Sequence, residues 1–96
     1  MGKDKLRRFR ENLTFDCFVQ PEFDEVFHCD HPLKGRWRSD FFHNDNPIVL
    51  ELGCGKGEYT VALAEHDPSR NYIGIDIKGA RMWRGAKSVT ERKIAN

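Results

Sequence analysis

The chain has 96 residues, of which 39% are hydrophobic and 32% charged, and its 16 Lys and Arg against 15 Asp and Glu leave a formal net charge of +1. This length allows one modest domain, and the balanced charge excludes a uniformly cationic nucleic-acid coat. The aromatic content of 11% argues against a disordered charged tail, and no apolar run reaches the roughly 18 residues that a membrane-spanning helix needs, so no membrane association is expected.

Residues 1–46 form an extension of basic and aromatic character. Leu6, Phe9 and Leu13 recur at helical spacing, which predicts a short amphipathic helix over residues 3–13 with a basic opposite face.

The remainder of the extension is less regular. Residues 14–33 contain two prolines and isolated phenylalanines without a clear period, which favours an extended or irregular segment. Residues 36–43 are expected to add a helical turn that brings Trp37, Phe41 and Phe42 to one side. Trp37 is expected to pack against its neighbours, and stacking on a nucleic-acid base is the open alternative.

From residue 48 the pattern is that of an alternating α/β unit. The apolar run 48–52 predicts a strand buried on both faces, and residues 72–77 predict a second strand. Residues 58–66 and 80–93 predict the helices that follow these strands. This order indicates an α/β fold with a parallel sheet and a right-handed crossover.

Both predicted helices of this unit have a recognisable apolar side. The apolar side of the first is expected to comprise Tyr59, Val61, Ala62 and Leu63. The apolar stripe of the second is expected to comprise Met82, Trp83, Ala86 and Val89.

Two parallel strands are few for a sheet of this kind, which usually contains more. We therefore expect residues 47–96 to form the first half of an α/β domain that follows the extension 1–46. The chain is then expected to be the N-terminal part of a longer protein, or to receive further strands from another chain. The sequence does not indicate an oligomeric state.

A glycine-rich loop connects the first strand to the first helix of the unit. Gly53, Gly55 and Gly57 alternate along it, and glycine permits positive φ and close approach of a ligand to the backbone. The following helix presents unsatisfied N–H groups to such a ligand. Asp76 ends the second strand, where a carboxylate accepts hydrogen bonds from ribose hydroxyls. The loop and Asp76 together predict a nucleoside-containing ligand at the carboxyl edge of the sheet.

The spacing of the loop narrows the choice of nucleoside. A dinucleotide site favours G-x-G-x-x-G, whereas this loop is G-x-G-x-G and is preceded by Glu51. A phosphate-binding P-loop requires Ser or Thr after Gly-Lys, but Lys56 is followed by Gly57. Glu51 and Glu58 flank the loop and disfavour a pyrophosphate, while they suit a ligand with a cationic amino group and a sulfonium. That ligand is S-adenosylmethionine.

The pattern Glu51-x-Gly53-x-Gly55-x-Gly57 followed by Asp76 resembles the first two motifs of class I S-adenosylmethionine-dependent methyltransferases. The resemblance implies a Rossmann-like methyltransferase fold. The chain would hold its first strand–helix–strand–helix portion, preceded by the N-terminal extension.

The similarity extends beyond these motifs. Residues 49–59 and 72–78, with Asp67-Pro68 before the second strand and residues 79–83 after it, look like the bacterial tRNA (guanine-N7-)-methyltransferase family. This resemblance implies transfer of a methyl group to N7 of a guanine in tRNA. The family's acceptor motifs follow its third and fourth strands, so the catalytic residues are expected beyond residue 96 and the chain alone is expected to be inactive.

The resemblance also implies a role for each cofactor residue. Glu51 is expected to orient the methionine end of S-adenosylmethionine, Asp76 to hold the ribose hydroxyls and Ile77 to line the adenine pocket. The loop backbone would pass beneath the ligand. The expected cofactor-binding residues are Glu51, Gly53, Cys54, Gly55, Gly57, Asp76 and Ile77.

Basic residues cluster on either side of an acidic stretch and are candidates for tRNA phosphate contacts. On charge alone, solvated faces are the simpler interpretation of these clusters. The candidate RNA-binding residues are Arg7, Arg8, Arg10, Lys34, Arg36 and Arg38.

The cysteines and histidines do not predict a metal site. Cys17, His28, Cys29 and His31 lack a C-x-x-C pair, and Cys54 is expected only to be small. Three cysteines without framework spacing favour a reducing, cytoplasmic setting.

Three other functions remain open on the sequence. A methyltransferase with another acceptor shares the same motifs. A half-domain that binds a nucleoside or RNA without turnover would explain why acceptor motifs are missing. A nucleotide-dependent oxidoreductase is disfavoured by the spacing of the glycine loop.

Overall fold

A computed structural model of the protein describes the backbone of residues 2–96 and the side chains from Asp4 onward. Its two strands pair in parallel, with Glu51 opposite Gly74. In chain order the elements are α1 (Gly2–Asn12), α2 (Phe23–Phe27), a π-helical turn (Trp37–Phe42), β1 (Ile48–Leu52), α3 (Glu58–His66), β2 (Asn71–Ile75) and α4 (Gly79–Arg92).

The predicted helices and strands are confirmed to within one or two residues at their ends, and so is the parallel pairing. The predicted apolar side of α1 is wrong in part, because Leu6 and Leu13 are 59% and 71% exposed, while Arg7 and Arg8 of the predicted basic side lie over Trp83.

The helical turn of the extension is confirmed as well. In it, the ring centroids of Trp37 and Phe41 lie 5.4 Å apart, and those of Phe41 and Phe42 lie 5.1 Å apart. Trp37 thus packs against its neighbour, as its interpretation as a packing residue predicts.

The segment 14–33 contains one element that the sequence did not predict. Residues Phe23–Phe27 form α2, which begins where the backbone N–H of Glu22 donates to the carboxylate of Glu25 at 2.9 Å. This contact between a residue and the third residue after it supports the first turn of a helix. Phe23, Val26 and Phe27 fall at helical spacing, but the helix has only five residues, too few for a periodicity argument to separate it from an irregular segment.

The expectation that β1 is buried on both faces is wrong for this structure. Alternate strand residues point to opposite faces, and the face opposite α3 includes Leu50, Leu52 and Ile75. Their exposed fractions are 56%, 77% and 44%. In the part of the chain that the structure describes, helix α3 therefore covers the sheet on the other face.

The predicted apolar side of α3 is also partly wrong. Tyr59 is 66% exposed and Ala62 is exposed, whereas Ala64 is buried. Val61 and Leu63 are half-buried. Helix α3 spans only nine residues, so its docking against β2 and α4 decides which side is covered.

The main apolar contact joins α1 to α4 and centres on Trp83. Its side chain is 6% exposed, and its indole Nε1 donates to Glu11 Oε1 at 2.6 Å. This hydrogen bond is the largest cause that lowers the pKa of Glu11. The Arg8 guanidinium lies 4.7 Å from the centroid of the Trp83 ring, and the Lys87 ammonium lies 5.0 Å from it, both at cation–π distance. The predicted apolar stripe of α4 is confirmed, because Trp83 and Ala86 are buried.

Replacing the indole tests this anchor. Trp83→Phe removes the donor to Glu11 and leaves a small void, so we expect a loss of about 2 kcal/mol in the free energy of unfolding. Urea denaturation of the purified chain measures it. Trp37→Phe is the matched control and should cost clearly less, because Trp37 is only half-buried. Equal losses in the two variants would contradict a central role for Trp83.

Candidate functional site

The glycine loop between β1 and α3 has the backbone that its sequence predicts. The φ angles of Gly53, Gly55 and Gly57 are 70°, 59° and 77°, a left-handed region that other residues rarely adopt. The N–H groups of Gly53 and Cys54 donate to the Ile75 carbonyl at 2.7 and 3.0 Å. These bonds hold the loop against the carboxyl end of β2.

The carboxylate of Asp76 joins this loop to the segment that begins α4. Its Oδ2 accepts a hydrogen bond from the Gly55 N–H at 2.8 Å, and its Oδ1 accepts one from the Lys78 N–H at 3.0 Å. The bond from Lys78, followed by that from Gly55, lowers the pKa of Asp76, so the group is ionised at neutral pH. An ionised carboxylate has about four acceptor positions, and these two bonds leave room for further donors.

Glu51 is held by a residue that no sequence motif indicated. Its Oε1 accepts a hydrogen bond from the Thr60 hydroxyl, in the first turn of α3. The sequence feature that could have indicated Thr60 is a hydroxyl residue three positions after Gly57, on the helix that follows the loop and packs on the strand. The bond turns the Glu51 carboxylate towards the loop side of the sheet.

Two further glycines are required by close packing. An added Cβ on Gly74 would lie 3.0 Å from Cys54 Sγ and Thr60 Oγ1. An added Cβ on Gly85 of α4 would lie 2.5 Å from the Lys56 carbonyl oxygen. Neither residue was predicted as part of the site, because each contact joins elements distant in sequence.

Cys54 lies between the two acidic groups of the site. Burial, and after it the carboxylates of Asp76 and Glu51, raises the pKa of the Cys54 thiol. A neutral thiol is a poor nucleophile, so Cys54 acts here as a small, half-buried side chain.

A cleft of about 410 Å³ adjoins the loop. Its lining includes Cys54, Gly57 and Asp76 of the predicted site together with Trp37 and Phe41 of the extension. Ile77 lies next to it in the chain and is 96% exposed. Of the predicted cofactor residues, Cys54, Gly57 and Asp76 line the cleft, and Gly55 is bonded to Asp76, whereas Glu51, Gly53 and Ile77 lie outside its lining.

The three predicted RNA-binding residues of α1 lie in different surroundings. Arg7 lies 5.5 Å from the centroid of the Trp83 ring, and its Nε is 3.9 Å from Asp4 Oδ1. Arg8 also lies over Trp83, whereas Arg10 is exposed. Two of the three cations therefore take part in the α1–α4 contact.

The second basic cluster lies beside acidic partners. Lys34 Nζ is 2.9 Å from Asp30 Oδ1, and Arg36 Nη1 is 3.8 Å from Asp40 Oδ2. Arg38 is exposed. These surface pairs are weak and leave the cations accessible to a polyanion.

The residues considered as metal ligands are spread over the extension. Cys17 Sγ lies 3.6 Å from the Ala86 carbonyl oxygen on α4, while His28 and Cys29 lie in the exposed stretch after α2. Over residues 2–96, the structure has no group of three or more His, Cys, Asp and Glu side chains arranged to hold a metal ion. Over the same range, it has no helix both long and apolar enough to span a membrane.

Comparison with known proteins gives a consistent result. Residues 45–96 match the model of a family described as "Putative methyltransferase". A tRNA (guanine-N(7)-)-methyltransferase of Christiangramia forsetii is 58% identical over 95 residues, which cover 99% of this chain and 42% of the relative. Its counterpart in Bacteroides fragilis is 46% identical over 96 residues, which cover 100% of this chain and 38% of the relative.

A tRNA (guanine-N(7)-)-methyltransferase of Porphyromonas gingivalis is 66% identical over 65 residues, which cover 68% of this chain and 27% of the relative. The chain thus spans about two fifths of the length of the C. forsetii and B. fragilis relatives, at 42% and 38%. No solved structure matches the chain.

The contact between α4 and the glycine loop can be tested at Gly85. Gly→Ala within a helix usually stabilises by up to about 1 kcal/mol. Here the new Cβ would meet the Lys56 carbonyl at 2.5 Å, so we expect Gly85→Ala to destabilise the chain by about 1–3 kcal/mol. Thermal and urea unfolding measure it, with Ser88→Ala in the same helix as control. A stabilised Gly85→Ala variant would show that α4 does not press on the loop.

Proposed function

Because this chain belongs to the putative methyltransferase family, we propose that it supplies the cofactor-binding portion of an S-adenosylmethionine-dependent enzyme that methylates N7 of a guanine in tRNA. The observation that carries the proposal is the joining of the glycine loop to an ionised Asp76 within a chain that aligns from end to end with relatives of that name. In this proposal, residues 47–96 hold the cofactor and residues 1–46 form the extension that accompanies it.

The residues of the site fit S-adenosylmethionine. The loop offers backbone without Cβ atoms at three positions, and two carboxylates lie on the strand ends beside it. A cationic ligand is favoured by Glu51 and Asp76, and a pyrophosphate is disfavoured by them. When bound, S-adenosylmethionine supplies a methyl carbon made electrophilic by its sulfonium.

Each residue of the chain has a defined part in holding that ligand. The free acceptor positions of Asp76 suit the two ribose hydroxyls, and Ile77 offers an exposed apolar surface for the adenine. Glu51, oriented by Thr60, faces the amino group of the methionine end. The loop residues Gly53, Cys54, Gly55 and Gly57 contribute close van der Waals approach, because their N–H groups already donate to Ile75, Asp76 and Cys54.

The reaction places modest demands on proton transfer. Guanine N7 has an exposed lone pair at neutral pH, so no base has to remove a proton before attack. Catalysis is then mainly a matter of positioning and exclusion of water, to which this chain contributes by fixing the cofactor. We place the residues that contact the guanine beyond residue 96, and the chain by itself is inactive in this proposal.

The partner is tRNA, and we infer a cytoplasmic location, where the three free cysteines stay reduced. Arg10 and Arg38 are the exposed cations best placed to contact phosphates, and Lys34 and Arg36 supplement them through weak surface pairs. Arg7 and Arg8 lie over Trp83, and Arg7 is the more accessible of the two, because the Nε of Arg8 is buried. Dispersed cations of this kind favour contacts with the phosphate backbone of the RNA over contacts with its bases.

Binding of S-adenosylhomocysteine to the chain, followed by calorimetry, tests the cofactor site. We expect saturable binding and no binding of NAD, and we expect Asp76→Ala to weaken the affinity roughly tenfold because two hydroxyls lose a charged acceptor. Asp67→Ala is the matched control, since Asp67 is a hydrogen-bonded carboxylate at the other end of β2. Unchanged affinity in Asp76→Ala would remove Asp76 from the ribose site. A folded chain that does not bind would contradict a self-sufficient cofactor site.

Binding of tRNA tests the basic residues separately. Replacing Arg36 and Arg38 by Ala should lower tRNA affinity and reduce the slope of log K against log salt by up to about 1 for each phosphate that is no longer neutralised. Filter binding at several salt concentrations measures it. Arg70→Ala, in a surface ion pair with Asp67, is the control. An unaltered slope would exclude this cluster from the RNA surface.

A further inference from the structure

The segment that follows Asp76 is surrounded by residues of the N-terminal extension. Asn12 Nδ2 donates to the Gly79 carbonyl at 2.9 Å. An added Cβ on Gly79 would lie 2.6 Å from Gln20 Oε1 and 3.1 Å from Phe9 Cε1. We call Phe9, Asn12 and Gln20 the Gly79 clamp. The clamp closes on a backbone position only three residues after the carboxylate of the candidate site.

Asn12 is an unusual choice for its environment. Its side chain is 0% exposed, and its Oδ1 has no hydrogen-bond partner among the residues that the structure describes. Burial of an unsatisfied polar atom lowers stability, so an apolar residue of similar size would destabilise the fold less at this position. The hydrogen bond from Asn12 Nδ2 to the Gly79 carbonyl offsets part of this loss.

The start of α4 depends on such outside support. Its N-cap residue, Lys78, makes no side-chain capping bond, and its first turn has no acidic residue. The carboxylate of Asp76, two residues before Lys78, holds the start of α4 by accepting the Lys78 N–H at 3.0 Å. The same segment is held from outside by Asn12, at the end of a helix that is itself anchored through Glu11 to Trp83, one turn along α4.

These contacts bear on the cofactor site because the clamped segment contains it. Asp76 and Ile77 directly precede the clamp, and Ile77 is 96% exposed, so its own side chain does little to fix the backbone. We propose that Asn12 is a positioning residue that acts through Gly79 to hold Asp76 and Ile77 in the geometry that binds the nucleoside end of the cofactor. This inference rests on the proposed function, and it assigns to the extension a part in cofactor binding.

The chain offers a matched control for a test. Asn71 is also 0% exposed and its Oδ1 also lacks a partner within residues 2–96, while its Nδ2 donates to Asn44 Oδ1 at 2.8 Å. Asn71 is the first residue of β2, whereas Asp76 follows the last residue of the same strand. Asn12→Ala and Asn71→Ala thus remove the same buried group, and only the first touches the clamp.

The first measurement needs no ligand. Amide hydrogen exchange of residues 77–80 in the full chain should be at least about tenfold faster in Asn12→Ala and nearly unchanged in Asn71→Ala, because removal of the bond to Gly79 favours local opening. Equal acceleration in both variants, or none in Asn12→Ala, would overturn the clamp.

The second measurement is calorimetry with S-adenosylhomocysteine, corrected for the folded fraction of each variant. We expect Asn12→Ala to bind roughly tenfold more weakly and Asn71→Ala to bind within about twofold of the unmodified chain. A weakening shared by both variants indicates general destabilisation and overturns a positioning role. Faster exchange with unchanged affinity overturns it as well.

Two outcomes keep this test separate from that of the proposed function. If the unmodified chain does not bind S-adenosylhomocysteine, the cofactor site fails, while the exchange data still decide whether Asn12 holds the segment. If Asn12→Ala does not fold, Asn12→Leu removes the donor to Gly79 while it keeps most of the buried volume and leaves no unsatisfied polar atom. It should show the same selective loss of affinity, and retained affinity would overturn the proposal.

Discussion

The two hydrogen bonds to the carboxylate of Asp76 connect every part of the candidate site. One oxygen accepts the Gly55 N–H of the loop after β1, and the other accepts the Lys78 N–H just before α4. The Ile75 carbonyl, which accepts the N–H groups of Gly53 and Cys54, holds the loop to the end of β2 on the same side. The bonds from Lys78 and Gly55 lower the pKa of Asp76, and an ionised carboxylate can accept hydrogen bonds from hydroxyl donors and attract positive charge.

Close approach of backbones is the second constraint on the site. Gly74 leaves room for Cys54 and Thr60 above the sheet, and Gly85 lets α4 reach the Lys56 carbonyl. Burial, and after it the nearby carboxylates of Asp76 and Glu51, raises the pKa of the Cys54 thiol, and the N–H groups of the loop glycines donate within the chain. The chemistry available to these residues is therefore binding and orientation, which agrees with a reaction whose nucleophile needs no activation.

The extension is part of the same body as the α/β unit. Trp83 donates a hydrogen bond to Glu11 of α1, and cations from both helices lie over its ring. Basic residues that the sequence offered as candidates for nucleic-acid contacts therefore support the fold. Within the described residues, Arg8 Nε is buried over Trp83 without a hydrogen-bond partner, whereas Arg10 stays exposed. Asn12 then extends this contact to Gly79, next to the candidate cofactor carboxylate.

Local pattern and spacing in the sequence determined the order of the elements of the α/β unit, the left-handed glycine loop, the acid at the end of β2 and the resemblance to methyltransferases, because each of these depends on neighbouring residues. Only the tertiary structure decided which faces are covered. Leu50 and Leu52 are exposed although their run is apolar, and Tyr59 is exposed on a helix predicted to bury it. It alone also identified Thr60, Gly85 and Asn12, because their contacts join residues 9, 29 and 67 positions apart, and no local period records such a contact.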